Sequence, residues 1–223
     1  MEEVKPFSTE APAGAKVVAA LGDIVGSRAA AQRVRLHETL VSALDSVNAA
    51  VPSVRPLRVT VGDEFQGVYD RLGDAIDATL RVRLALLPEV DIRYGIGIGA
   101  VQVIDPDTGI EDGPGWWRAR AAIEHTEQLA DRAATRLVRT TVQAAEEENE
   151  LASAVTAALT CRDHMIGSLS DRSLRLLRGL LEQSSQTELA KAEGISDSAV
   201  SQRVRNDGLG IIVDTHDLLR ELS

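Results

Sequence analysis

The stretch Ile92-Arg-Tyr-Gly-Ile-Gly-Ile-Gly-Ala-Val101 limits the possible folds of this chain more than any other segment. It carries the signal of a long strand, and its glycines leave room for a helix or a ligand to approach the backbone closely. Two other strand signals precede it. Lys16-Val-Val-Ala-Ala-Leu21 is a short apolar run bounded by Gly22, the pattern of a buried strand. Leu57-Arg-Val-Thr-Val61 and Phe65-Gln-Gly-Val-Tyr69 alternate apolar and polar residues around Gly62-Asp63, a favourable tight-turn pair, which predicts a β-hairpin.

Helical periods separate these strands. Over 29–50 the apolar positions Val34, Leu40, Val41, Leu44 and Val47 recur at helical spacing, and Pro52 and Pro56 follow. Over 72–87, Ile76, Leu80, Leu84 and Leu87 share a face, and Pro88 ends the run. After the glycine-rich strand come a loop from Asp105 to Gly115, a helix from about Trp116 to Asp131, and an edge strand within 136–142. Aromatic residues are only 3% of the chain, so the core must be aliphatic, which suits helices packed on a sheet. The 44% hydrophobic and 26% charged content excludes wholesale disorder.

No apolar run reaches the roughly 18 residues that a membrane span requires. Residues 1–15 read as a polar tail without the features of a secretory signal. Cys161 is the only cysteine, so no internal disulfide forms, and the expected compartment is a reducing cytoplasm. The net charge of −10 gives no general attraction to nucleic acid, so any DNA contact must come from a local surface.

The acidic run Glu146-Glu-Glu-Asn-Glu150 predicts either a boundary between an α/β domain over 16–145 and a helical part over 146–223, or the solvated start of a linking helix. Within the latter, 151–181 reads as helix with a break near Gly167-Ser168. Thr187 to Arg205 then has the spacing of a helix-turn-helix. Leu189 and Ala190 pack inward, Gly194 makes the turn, Ile195 returns to the core, Ser196 caps a second helix, and Val200 and Val204 form its buried stripe. Ser196, Ser198, Ser201, Gln202, Arg203 and Arg205 are the candidate DNA-reading set, and a homodimer is the expected binding unit. Between Ser184 and Gly210 three basic residues face four acidic ones, so a plain αα-hairpin used for dimerisation stays open beside DNA binding. A final helix over 214–222 would support this unit.

Asp23 directly follows the first strand, between Gly22 and Gly26, and Asp63-Glu64 lies in the hairpin turn. If the strand and hairpin are adjacent, both carboxylates emerge at one edge, where two or three oxygens would suit Mg²⁺ together with phosphate. Backbone N–H groups from Gly22 to Ser27 could cradle that phosphate. The alternative is local: Gly-Asp as a turn, and Asp as a helix cap. Trp116 and Trp117 beside Arg118 and Arg120 could stack a base and hold phosphates, or else plug the core and face a partner. Arg93 is a further phosphate candidate.

Gly22-Asp-Ile-Val-Gly-Ser27 resembles the first metal-binding strand of class III nucleotidyl cyclases. Val61-Gly-Asp-Glu-Phe65 is similar to their second metal-aspartate hairpin and to the GGDEF signature of diguanylate cyclases. Arg93-Tyr-Gly-Ile-Gly-Ile-Gly99 resembles the strand that follows in class III cyclases. With Gly62-Asp-Glu-Phe-Gln-Gly67 and Gly113-Pro-Gly-Trp-Trp-Arg-Ala-Arg120, most of the chain resembles the SatD family of bacterial proteins. The resemblance implies an α/β (α+β) ferredoxin-like, palm-like cyclase domain, with an antiparallel sheet and helices, joined to a small all-α helix-turn-helix domain. It implies a metal site at Asp23, Asp63 and the Ile24 backbone. A nucleotide site, for a triphosphate or cyclic dinucleotide, is expected around Gly22, Gly26, Ser27, Gly62, Glu64, Phe65, Gln66, Arg93, Trp117, Arg118 and Arg120. Two departures point to binding rather than turnover. Trp117 to Glu124 lacks the Asn that precedes the transition-state Arg in class III cyclases, and Val61 replaces the first Gly of GGDEF. The expected function is a ligand-responsive DNA-binding regulator, with a Mg²⁺-dependent nucleotidyl cyclase or transferase as the alternative.

Overall fold

The computed structural model describes residues 15–26, 33–105 and 109–223. Its centre is a five-stranded sheet. β1 (Lys16–Ile24) is the middle strand, with β3 (Glu64–Tyr69) on one side and β4 (Ile92–Ala100) on the other; β2 (Arg55–Val61) and β7 (Thr140–Gln143) are the edges. The expected hairpin exists as β2–β3, turning at Gly62 with φ +64°, a conformation glycine adopts at little cost. Three pairings are antiparallel, but β7 lies parallel to β4, so the sheet is mixed and the all-antiparallel expectation is corrected. The reason is connectivity. The chain crosses the sheet through α3 (Pro114–Ala130) before β7 begins, and such a crossover brings the next strand in parallel.

The segment expected as a loop from Asp105 to Gly115 contains part of a second, two-stranded sheet, β5 (Gln102–Asp105) with β6 (Ile110–Asp112). Arg55 of β2 pairs with Glu111, and Arg58 Nη2 donates to the Gly109 carbonyl at 3.1 Å, tying this hairpin to β2.

Side chains on one face of the sheet meet α1 (Arg33–Ala50), α2 (Leu72–Leu86) and α4 (Asn149–Gly167). Val18, Ala20, Ile24, Phe65, Tyr94, Ile96 and Ile98 pack there against Leu40, Leu44, Ile76, Val155 and Leu159. Val34, counted on the apolar stripe of α1, is instead exposed. The other face carries Ala19, Leu21 and Val68 under Trp116, Ala119 and Ile123 of α3. Here the glycines of β4 matter. A Cβ on Gly95 would fall 2.2 Å from Ala119 O and Ile123 N, and one on Gly97 would fall 2.2 Å from Ala119 N and Gly115 O. The room left by these residues is filled by a helix backbone, not by a ligand.

The C-terminal helices α5 (Asp171–Leu181), α6 (Gln186–Glu193), α7 (Asp197–Asn206) and α8 (Leu209–Arg220) share their core with α2. Leu80 and Leu84 of α2 cluster with Leu174, Leu176, Leu177, Leu189, Val200, Leu209 and Ile212. Leu219 of α8 joins the sheet core, and Gly73 N donates to Leu222 O at 3.0 Å. The helices after residue 146 therefore enclose no core of their own. The charge run expected as a boundary is a short 3₁₀ turn, Glu146–Glu148, opening α4.

Polar side chains are buried where these layers meet. Arg83 of α2 donates to Asp91 at 2.7 Å and to Asp163 of α4 at 2.8 Å, and Arg139 Nε donates to the other Asp91 oxygen at 2.7 Å. His216 of α8 is fully buried, with Nε2 2.9 Å from Asp77 and Nδ1 3.5 Å from the Arg162 guanidinium. Burial, and then the facing Arg162, hold the His216 imidazole below its usual range, against the pull of Asp77. Burial opposes charge on Asp77, yet the His216 hydrogen bond and the guanidinium groups of Arg81 and Arg220 outweigh it and hold the carboxyl low. Arg162 itself is pushed down to about 10, chiefly by burial.

Candidate functional site

β1, the β2–β3 turn, the start of β4 and the exposed side of α3 meet at one end of the sheet. In the ladder Asp23 stands opposite Arg93, and Gly22 stands between Phe65 and Tyr94. Alternation along β1 sends Asp23 to the α3 side with Leu21, and sends Gly22 and Ile24 to the opposite core. The expected convergence of strand and hairpin is thus present, and it collects charge of both signs.

Arg93 grips Asp23 with a two-pronged bond, Nε to Oδ1 at 3.0 Å and Nη2 to Oδ2 at 2.7 Å, and its Nη1 reaches Glu127 of α3 at 2.8 Å. The Asp23 hydrogen bond, followed by the charges of both carboxylates, raises the already high pKa of Arg93 further. Arg120 of α3 grips Glu64 in the same way, at 2.6 and 3.0 Å. Asp63, half-buried in the turn, has no side-chain hydrogen bond or ion pair among the described residues.

This donor set does not fit a resident divalent cation. Both Asp23 oxygens already face a guanidinium, and among the described residues no group of three or more His, Cys, Asp or Glu side chains converges as a cation site. The backbone cradle is corrected too. Gly22 to Ile24 pair with β4 and Val25 N donates to Asp91 O at 2.9 Å, so this part of the cradle is extended strand built into the sheet rather than a loop. Ile24 is buried, while Gly26 (φ +74°) has open space around it; Ser27 lies outside the described residues.

Phe65 is corrected from ligand contact to core. It is 1% exposed, packs edge-on to Tyr94 at 5.9 Å, and fills the space above Gly22, where a Cβ would fall 2.3 Å from its ring. Arg118 is spent on the fold as well, since its Nη1 donates to Ile98 O at 2.6 Å across Gly99.

The two tryptophans divide. Trp116 is buried against Leu21, and its indole N–H has no hydrogen-bond partner among the described residues. Trp117 is half-exposed and is fixed by its Nε1–H donating to Asp112 Oδ1 at 2.6 Å. Between them and the sheet lies an open cleft of about 480 Å³, lined by Leu21, Gln66, Glu111, Trp116, Trp117 and Arg120. Glu111 and Asp112 are not among the residues the sequence offered for this site. The Trp-Trp pair was a signal for Trp116, whereas Glu111 and Asp112 arrive only because β6 folds against β2.

In the C-terminal part of the chain, α6 and α7 form the predicted helix pair. Ser185 and Glu188 cap α6 reciprocally, Gly194 ends it at φ +63°, and Ser196 Oγ accepts from Ala199 N at 3.2 Å to cap α7. Val200 is fully buried. Ser198, Gln202 and Arg205 are exposed and Ser201 is half-buried. Arg203, from the candidate DNA-reading set, is half-buried, and its Nη1 reaches Ser173 Oγ at 3.2 Å and Asp207 at 3.4 Å. Ser196 spends its hydroxyl on the cap and on Ser198.

The class defined by these features is an α/β protein with a mixed five-stranded sheet, helices on both faces, and a C-terminal helical layer built onto one of them. Residues 17–222 match the model of the SatD family, and the chain belongs to that family. No curated protein matches it. Among solved structures, a bacterial light-regulated adenylyl cyclase is similar at 13% identity and a TM-score of 0.39, covering 57% of this chain and 74% of that one. The monomeric guanylyl cyclase domain of the RhoGC fusion protein from the aquatic fungus Blastocladiella emersonii is similar at 17% identity and a TM-score of 0.34, covering 49% and 74%. Among the described residues no helix is long and apolar enough to cross a membrane.

Proposed function

We propose that this SatD-family protein is a ligand-responsive DNA-binding regulator, in which the sheet domain binds a nucleotide and α6–α7 is a helix-turn-helix. The observation that carries the reading is the geometry of α6 and α7. Two short capped helices meet at a left-handed glycine, Val200 anchors the second, and Ser198, Gln202 and Arg205 stand exposed along it. Arg203 is paired with Asp207, which leaves Lys191 and Arg205 as the cations of this unit without a paired carboxylate among the described residues. Phosphate attraction is then weak, and a homodimer supplies the contact area that one such unit lacks.

The nucleotide half rests on the charged end of the sheet and the tryptophan cleft. The sheet and the helix pair share a packing partner, since α2 contributes to the sheet core and to the α5–α8 core alike. Nucleotidyl transfer is the less favoured reading, because Arg93 already neutralises Asp23.

The test is fluorescence anisotropy with labelled duplex DNA at about 50 and 200 mM salt, with and without nucleotides, where a charge-driven contact loses affinity steeply. Salt-dependent binding that falls in R205A and Q202A, and that changes with nucleotide, is the expected result. Absence of salt-dependent binding in all conditions overturns it.

A further inference from the structure

We infer that the cleft beside Trp117 is a mononucleotide site guarded by Glu64, whose carboxylate holds Arg120 until a ligand phosphate displaces it. This deepens the nucleotide half of the proposed function and rests on it. Four observations converge. The indole of Trp117 is half-exposed yet held in one orientation by its bond to Asp112, so an aromatic face is presented at little entropic cost. Gln66 lines the same cleft and supplies an amide that can both donate to and accept from a base edge. Trp116, nine-tenths buried, lines the same cleft and adds an aromatic wall beside Leu21. The cleft volume of about 480 Å³ lies within the ordinary range for small-molecule sites.

Arg120 sets the anionic part of the ligand. Its guanidinium edge faces Glu64 through both nitrogens, the geometry that phosphate oxygens also satisfy. Glu64 and a phosphate thus compete for the same donors. The pair is accessible, with 48% and 30% of the two side chains exposed, so solvent weakens it and exchange is easy. Glu111, by contrast, is buried and paired with Arg55, and shapes the wall without competing.

The experiment is a titration of the full chain with AMP, GMP and adenosine, without added metal, read by tryptophan fluorescence and by calorimetry. The chain has two tryptophans, and stacking on Trp117 changes the emission of one. In the wild type AMP or GMP binds more tightly than adenosine. Glu64→Gln removes the competing charge while keeping the shape, and tightens mononucleotide binding about two- to fivefold without changing adenosine. Arg120→Met brings mononucleotide affinity down to that of adenosine. Trp117→Ala weakens all three at least about fivefold, the lower range for a lost base stack. Far-UV circular dichroism confirms that each variant is folded. Mononucleotide affinity unchanged in Glu64→Gln, or unchanged in Trp117→Ala, overturns the inference. If the wild type binds mononucleotides but these variants bind alike, this cleft is the wrong site and the nucleotide reading stands. If the wild type binds none of the three while binding duplex DNA, the inference falls and the helix-turn-helix reading stands.

Discussion

Replacing Gly97 by alanine puts a methyl group where the backbone of α3 already lies. The new Cβ would sit 2.2 Å from Ala119 N, 2.2 Å from Gly115 O and 2.8 Å from Arg118 C. Carbon contacts are comfortable near about 3.5–4.0 Å, so α3 must lift from β4 by roughly 1 Å or more. No side-chain rotation relieves this, because all three atoms are backbone. Lifting α3 also loosens Trp116, Ala119 and Ile123 over Ala19, Leu21 and Val68. Overpacking at well-filled sites costs about 1–3 kcal/mol, and the backbone contacts place this case at about 3 kcal/mol. For a chain of this size that lowers Tm by roughly 6–12 °C. Gly210→Ala is the matched control. Its Cβ would meet only Val204 Cγ1 at 3.6 Å, within α8, and gains a few tenths to about 1 kcal/mol from better helix propensity. The assay is urea unfolding followed by circular dichroism, with a thermal melt alongside. A Gly97→Ala protein within about 0.5 kcal/mol of wild type would refute the close packing of α3 on β4.

Other consequences follow from the buried charges and the helix pair. Stability should fall as pH drops below the ordinary histidine value of 6.5, because unfolded His216 takes a proton that the native imidazole, facing Arg162, resists. His216→Gln should flatten that part of the pH profile, as measured by urea unfolding from pH 7.5 down to about pH 5. Arg83→Met leaves Asp163 and Asp91 as buried carboxylates short of a partner, at a cost of about 3–5 kcal/mol, and should show as lost soluble folded protein or a much lower urea midpoint. Mg²⁺ should leave the thermal shift given by AMP or GMP unchanged, since Arg93 occupies the Asp23 carboxylate; a shift that appears only with Mg²⁺ would contradict this. Arg203→Ala should lower stability by about 1 kcal/mol through Ser173 and Asp207 while leaving the salt slope of DNA binding intact.

Local signals in the sequence are enough for the central strands β1 to β4 and the helix pair, though not for β5 and β6. Alternation and Gly62-Asp63 specify β2–β3, and Gly194, Ser196 and Val200 specify the α6–α7 turn, because turn and cap chemistry depends on residues a few positions apart. The same locality brings Asp23 and Asp63-Glu64 to one end of the sheet once β1 and β3 pair. What local pattern cannot encode is the partner across space. The glycines of β4 announce that something approaches, but only packing makes it α3 rather than a phosphate. Phe65 looks like part of a signature, yet the pleat turns it into the core above Gly22. Arg93 stands 70 residues from Asp23, Arg120 56 from Glu64, and His216 139 from Asp77. Such pairings are settled by strand register and layer contacts. The tertiary structure therefore decided which charges cancel, which cleft stays open, and that the helices after residue 146 share a core with the sheet domain.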